Sequence, residues 1–485
     1  MHGGALLQAP DGPRNELGRW HAPFGRSGRP HARHGWRVLT QRRAHPASGQ
    51  VDVLALTAHV IKAILHGQAS DQALSEAMQQ HETHDARLSS QDRAAVGDVV
   101  FQVLRHWRLT QALVAPDELE PSLAVLLQVL LTDWPGEANL GFRARWASWA
   151  RERLSPHDAQ RLPEYAERLN ERDHLPLAIR YSVPDWLMQQ AQADHPDLDE
   201  RFWAALMQRA PVDLRVNLSA CKRPQAQLDL AESGVVAEPT PHSPWGLRLA
   251  QPTGVTHLPI FKKGWVEIQD EASQLLAALV GARRGQIVVD FCAGGGGKTL
   301  ALGALMRGTG QLYAMDVSAA RLAAMKPRLD RAGLKQVSIL ALQSHQDPRL
   351  ARLRGKVDAV LVDAPCSGLG TLRRAPGLKW QLKPQDLSDH AKRQLDILSS
   401  AALLLKPGGR LVYATCSFMR EEDEAVALAF DQRHPGWTPM MAKDVLDELK
   451  CSPQSPLTDT SGRWFRTWPH RHQTDAFFAS LWTAR

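Results

Sequence analysis

The 485-residue sequence contains no Cys-x-x-Cys pair and no His/Cys spacing of the kind that cages zinc, so no structural metal site is expected. Its five cysteines are scattered and odd in number, which excludes a disulfide framework. No uncharged apolar run approaches the roughly 18 residues that a membrane span needs. The N-terminus lacks the apolar centre of a secretory signal. These absences predict a soluble, cytoplasmic chain with no membrane partner, and no obligate protein partner is evident. An apolar fraction of 44% and a charged fraction of 22% suit a packed globular protein, and the length allows more than one domain.

Positive charge is present but unevenly placed. The net charge is +7, yet residues 1–50 hold eight Arg, no Lys and two acids (Asp11, Glu16), leaving about +1 for the rest. A nucleic-acid partner therefore does not follow from charge alone. The 1–50 stretch, rich in Gly, Pro, Arg and His, reads as a disordered basic tail. From Val51 to residue 150, apolar residues recur at helical spacing, as in Leu54, Ile61, Ile64 and Leu65, or Val96, Val99, Val100, Val103, Leu104 and Trp107. A further helical, charged connector covers 151–210. Ala210-Pro211 breaks the pattern, and 211–264 reads as a small α/β segment opening with a strand at Asp213–Asn217.

From residue 265 to 485, apolar strands alternate with helices. Strands are expected at Ile287–Cys292, Gln311–Asp316, Val337–Leu342, Val357–Asp363 and Arg410–Thr415. Helices are expected at Lys298–Met306, Ala319–Arg331 and Leu387–Leu405. This alternation predicts a doubly wound α/β fold with a parallel sheet covered on both faces. Its ligand site should lie at the carboxyl ends of the strands. Asp290, Asp316, Asp363 and Cys416 all fall there.

The segment Asp290-Phe-Cys-Ala-Gly-Gly-Gly-Gly-Lys-Thr299 joins the first strand to a helix. Glycines let a ligand approach the backbone, and a helix N-terminus offers free N–H groups. Three readings compete. A phosphate loop fits at Gly297-Lys298-Thr299, but Cys292 stands where its first glycine belongs. A dinucleotide loop matches poorly. A nucleoside site would use Asp316, 22 residues beyond Gly294, to accept hydrogen bonds from a ribose.

Two further segments carry thiols: Asp363-Ala-Pro-Cys-Ser-Gly-Leu-Gly370 after the fourth strand, and Thr415-Cys416-Ser417 after the fifth. Cys366 and Cys416 should share one crevice, with Lys298, Arg373 and Arg374 as neighbouring cations able to favour a thiolate. Placement alone does not say which thiol attacks. Cys292 reads as a small buried residue.

From about Val266 to Phe430 the sequence closely resembles the Sun/Nop family of RNA 5-methylcytosine methyltransferases. The blocks Val266–Ser273, Asp290–Thr299, Asp363–Trp380 and Tyr413–Ser417 occur in the family's order. Residues 51–150 resemble the family's NusB-like helical domain, and Ala210–Asn217 its small RNA-binding subdomain. The resemblance implies a Rossmann-like, S-adenosylmethionine-dependent methyltransferase domain acting on RNA, most notably ribosomal RNA. It implies that Cys416 attacks C6 of cytosine and that Cys366 assists release. Asp363 would hold the cytosine edge, Lys298 would lie near base and cofactor, and Asp316 would take the cofactor ribose. Asp290, Ala293, Gly294, Gly295, Gly296, Gly297, Lys298, Asp316 and Asp363 form the implied cofactor-binding set. Arg373, Arg374 and Lys379 would flank the target strand. Possession of both cysteines favours RNA over a DNA cytosine methyltransferase, which needs only the Pro-Cys thiol. A non-catalytic assembly factor and a nicotinamide dehydrogenase are weaker readings. Three departures stand out: Gly294-Gly295 replace an Ala-Pro, Gly377 replaces an Asp, and Asp347 is the one candidate for an acid after the third strand.

Overall fold

The structure, a computed structural model, describes residues 51–81, 88–114, 118–131, 140–449 and 456–485. The expected basic tail, 1–50, lies outside the described residues.

The first part is helical. Helices Val53–Leu65, Ser90–Leu113 and Pro121–Leu131 begin the fold, and the Asp52 and Ser89 side chains cap the first two by accepting the N–H groups of Ala55 and Asp92. Their apolar stripes meet in one core containing Leu56, Ile61, Ile64, Val96, Val100, Val103, Leu104 and Val125. Helices continue through Glu200–Leu206.

Four short strands follow: β1 (Asp213–Val216), β2 (Ala237–Pro239), β3 (Gly246–Leu249) and β4 (Val266–Ile268). They form an antiparallel sheet in the order β2-β3-β1-β4. Helix Arg223–Glu232 packs Ala226 and Leu230 against Leu214, Val216 and Leu247 of this sheet. Because β4 pairs with β1, the small sheet runs to Ile268, past the boundary at Gly264 that composition suggested.

The second sheet contains β5 (Ile287–Asp290), β6 (Gln311–Asp316), β7 (Val337–Ala341), β8 (Val357–Asp363), β9 (Leu405–Thr415), β10 (Trp437–Met440), β11 (Phe465–Thr467) and β12 (Phe477–Ala484). Its order is β10-β12-β9-β8-β5-β6-β7, with β11 beside β12. Strands β5 to β9 run parallel, as the alternation of strands and helices predicts, and β10 to β12 close one edge antiparallel. Successive residues face opposite cores. Val288, Leu361, Val412 and Leu481 pack on one face, and Val289, Val360, Val362, Tyr413 and Trp482 on the other. The strand order reverses between β5 and β8, which opens a crevice at their carboxyl ends.

The segment after Cys366 ties this domain to the helical one. Trp380 Nε1 donates to Leu104 O at 2.8 Å, and its ring joins the helical core. Lys379 Nζ donates to Arg105 O at 3.0 Å, and Arg105 returns a bond to Arg373 O at 2.8 Å. Gly377 sits where a Cβ would lie 2.6 Å from Ile64 Cγ2, so the glycine standing in place of the family's Asp is what lets the two domains close. We predict that Gly377→Val lowers stability by about 1–3 kcal/mol through overpacking. A urea midpoint unchanged from wild type would refute this contact.

Candidate active site

Four of the five parallel strands, β5, β6, β8 and β9, each bring a candidate functional group to the crevice. At the end of β5, Asp290 is fully buried and accepts the Thr299 hydroxyl at 2.7 Å, while its second oxygen has no partner among the described residues. The glycine loop follows. Gly294 (φ 53°) and Gly296 (φ 86°) adopt left-handed backbone, and a Cβ on Gly296 would lie 2.4 Å from Met325 Cγ. An alanine at Gly294 would be strained in this conformation. Helix Gly297–Leu305 starts immediately after, and the amides of Gly297, Lys298 and Thr299 have no partner among the described residues.

Asp316, at the end of β6, accepts Gly294 N–H and Ser318 N–H, each at 2.8 Å, and so braces the glycine loop. Its carboxylate is 7% exposed. Asp347 is different. Its oxygens accept the N–H of Gln343 and the backbone and guanidinium of Arg349, so it caps its own loop. These hydrogen bonds hold its carboxyl well below the usual range.

Asp363 closes β8 and meets Lys298 at 2.7 Å. Burial pulls the Lys298 ammonium toward neutrality, but Asp363 outweighs it and the net shift is upward. Beyond Asp363, Cys366 Sγ lies 3.4 Å from Cys416 Sγ. The two loops are stitched together: Ala364 N–H donates to Ala414 O, Gly370 N–H to Cys416 O, and Ala476 N–H to Gly370 O, at 2.9–3.0 Å. A Cβ on Gly370 would stand 2.0 Å from Ala476 O, so this position requires glycine. The hydrogen bond shared with Cys416, burial and the nearby Glu422 carboxylate together push the Cys366 thiol up, so it stays protonated. Cys292 packs into the core beside the site; burial and the surrounding acids push its thiol up as well.

One residue was invisible to sequence reasoning. Glu422, fully buried, accepts Ser367 N–H at 2.7 Å, the Ser367 hydroxyl, the Ser417 hydroxyl at 2.7 Å and Gln394 Nε2 at 3.2 Å. Ser367 follows Cys366 and Ser417 follows Cys416, so one carboxylate holds both thiol loops. Tyr413 donates to the Glu422 carbonyl and to Gln394 Oε1. Glu422 lies in an acidic run, Glu421–Glu424, and nothing local marks it for burial.

The structure corrects the expectation for the basic residues. Arg373 is 7% exposed and donates to the carbonyls of Thr474 and Arg209; Arg374 pairs with Asp475 at 2.6 Å and Asp270 at 3.0 Å. Lys379 is 3% exposed, and burial holds its ammonium well below its usual range. Arg374 and Lys379 join domains and do not flank an open strand; Arg373 joins domains too, and it also lines a cavity beside β3.

A strand–glycine–helix loop, an acid ending the next strand and a ligand crevice at the switch point together define a Rossmann-like nucleoside-binding domain. The free amides, the cramped glycines and the unpartnered Asp290 oxygen fit a zwitterionic nucleoside cofactor at Asp290–Lys298. Residues 277–483 match the 16S rRNA methyltransferase RsmB/F family, and residues 183–256 match the ferredoxin-like domain of the same proteins. A probable ribosomal RNA small subunit methyltransferase B from Synechocystis sp. is 33% identical over 66% of this chain and 70% of its own length. Ribosomal RNA small subunit methyltransferase B of Yersinia pestis is 30% identical over 72% of this chain and 84% of its own length. Among solved structures, PH0851 superposes with TM-score 0.68 at 27% identity, covering 89% of this chain and 98% of that one. NSun6 from Pyrococcus horikoshii, solved with SFG, shares the fold at TM-score 0.54 and 20% identity, over 62% of this chain and 98% of that one. The chain belongs to the RsmB/F family of ribosomal RNA small subunit methyltransferases.

Two outcomes test this site. Burial, opposed by the Thr299 hydroxyl, pushes the Asp290 carboxyl up to about 7, whereas in the unfolded chain it titrates near 3.9. The folded state therefore holds a proton that the unfolded state releases, and stability falls as pH rises from about 4 through about 7. Asp290→Asn removes that fall. Its advantage over wild type in chemical denaturation should grow by about 2–3 kcal/mol between pH 5 and pH 8; a constant difference would refute the shift. Separately, Glu422→Ala leaves the Ser367 amide without its acceptor and the Ser367 and Ser417 hydroxyls with only each other at 3.3 Å, and should cost about 2–5 kcal/mol. Glu422→Gln, which keeps an acceptor, should cost less; equal losses in the two variants would argue against the hydrogen-bonded role.

Proposed function

We propose that the protein methylates C5 of a cytosine in 16S ribosomal RNA through a covalent bond between Cys416 Sγ and C6 of the base. The observation that carries this reading is the pair of thiols 3.4 Å apart at the mouth of the crevice, beside the Lys298–Asp363 ion pair. A cytosine presents an unreactive C5. Addition of a thiolate at C6 breaks the aromatic 5,6 bond and moves electron density onto C5. S-adenosylmethionine, when bound, supplies an electrophilic methyl group to that carbon. The C5 proton then passes to the Cys366 sulfur while the Cys366 thiol gives its own proton to the departing Cys416 sulfur, so the C5–H electron pair restores the double bond, the C6–S bond breaks and both cysteines end as thiols.

The residues divide this work by charge. Lys298 is proposed to favour attack by Cys416 through its positive charge, and Asp363 to accept from the base edge. Cys366, held as a thiol beside Glu422, is suited to the release step. Asp290, Ala293, the glycines 294–297, Lys298, Asp316 and Asp363 form the proposed cofactor cradle, with Asp316 toward the ribose. The helical region 51–150, the connector 151–210 and the small-sheet segment 211–264 are proposed to hold the RNA by shape and phosphate contacts. The target base must be single-stranded or turned out of its stack to reach the crevice.

The roles of the thiols are separable. Without Cys416 no adduct forms; without Cys366 attack and methyl transfer proceed but release stalls. Cys416→Ala should be inactive and leave RNA free. Cys366→Ala should accumulate a denaturant-resistant protein–RNA complex, and Cys292→Ala should retain turnover. A denaturing gel after incubation with RNA and S-adenosylmethionine decides this. A complex trapped in Cys416→Ala and none in Cys366→Ala would reverse the assignment.

A further inference from the structure

A cavity of about 690 Å³ opens where three parts of the chain meet: helix Glu200–Leu206 with its extension to Pro211, strand β3, and the segment before β12. Its wall carries Arg201, Arg209, Arg248, Arg373, His470 and Gln473, and no Asp or Glu among the described residues lines it. The volume lies within the range of small-ligand sites, about 300–1,000 Å³.

The arginines are not equally neutralised. Arg201, Arg209 and Arg248 have carboxylate partners behind the wall, in Asp199 at 2.6 Å, Asp98 at 3.4 Å and Asp213 at 2.7 Å. Arg373 makes no ion pair among the described residues. It donates to two carbonyls, and its buried Nε has no partner among the described residues. A buried cation is costly unless an anion compensates it. Here the compensating charge is missing on the side that faces the cavity.

The rim is also held in an unusual shape. Gln473 has a φ of 57°, rare for a residue with a side chain, and its carbonyl and side-chain oxygens both accept from Arg248, at 3.2 and 3.1 Å. Three residues later, Ala476 bonds the loop of Cys366 through Gly370. Three residues span at most about 10 Å, so the cavity adjoins the thiol loops.

We propose that this cavity is a phosphodiester-binding subsite, which seats the backbone of the substrate RNA next to the segment entering the crevice. It rests on the RNA reading above and adds where the strand is gripped. Guanidinium groups match phosphate oxygens in pairs; four of them line the cavity, and Arg373 has no carboxylate partner among the described residues. His470, kept neutral by burial with a pKa of about 4, contributes an aromatic edge and no charge.

The test uses the full chain. Arg201 and Arg209 are 81% and 49% exposed at their side chains, so the double variant Arg201→Glu/Arg209→Glu should fold; Arg201→Gln/Arg209→Gln is the milder form. A control with the same change of charge, Lys335→Glu/Arg354→Glu, places it just before β7 and just before β8, at the amino ends of the parallel strands and away from the crevice. Binding to a 16S ribosomal RNA transcript is followed against salt concentration, with methyl transfer measured alongside. The cavity variant should bind about tenfold or more weakly, with the slope of log affinity against log salt reduced by about 1–2, and the loss should fall on KM. The control should match wild type. Affinity and slope within twofold of wild type would overturn the subsite. So would normal binding of naked RNA with activity lost only on small-subunit particles, which would assign the cavity to an acidic protein segment. A wild-type chain that held no RNA at low salt would instead sink the RNA reading itself.

Discussion

Two loops leave neighbouring strands at the top of a parallel sheet, and each carries a thiol. Sheet hydrogen bonds end with β8 and β9, so nothing in the ladder keeps the two sulfurs in register beyond Asp363 and Thr415. The buried carboxylate of Glu422 adds to the Gly370 N–H to Cys416 O bond in supplying that constraint. It takes a backbone amide and a hydroxyl from one loop and a hydroxyl from the other. Gln394 and Tyr413 fix the carboxylate in turn. A charged hub of this kind is worthwhile only if every partner is present, because each missing bond leaves a polar group stranded away from water. The 3.4 Å sulfur separation is thus a property of a network that spans β8, β9 and the helix Pro384–Ala402.

Charge around the thiols is asymmetric. A lysine lies toward one side of the crevice, and a glutamate backs the other. Two otherwise similar cysteines are therefore chemically distinct before any substrate arrives. Low polarity sharpens the difference, since the same charges would be largely screened in water.

Much of this was legible in the sequence. Gln311–Asp316 and Val357–Asp363 are the strands expected, because apolar runs bounded by Gly and Asp leave little latitude. The convergence of Asp290, Asp363 and the two thiols followed from strand ends alone. Other features were not legible. β9 starts at Leu405, ahead of Arg410, because Leu405 pairs with Val357 across a register shift in a Pro-Gly-Gly stretch that reads as a turn. Glu422 was hidden because its burial depends on partners 28 and 55 residues away. Arg373, Arg374 and Lys379 were misread because a sequence displays charge without displaying what surrounds it. Their partners come from residues up to 274 positions distant.

The clamp between the helical and catalytic halves bears on how such a protein can be rearranged. Trp380, Lys379 and Gln381 all end on main-chain carbonyls of the helices, not on side chains. Contacts to main-chain groups are indifferent to the identity of the residue they touch, so the helical surface can drift in sequence while the joint endures. Arg215 extends the same logic on the other side, from β1 to the Gly297 carbonyl of the cofactor loop at 2.9 Å. The appended domains are therefore welded to the catalytic core rather than hinged on it. Swapping one of them for a homologue's would preserve the joint only where the backbone path, not the sequence, is kept.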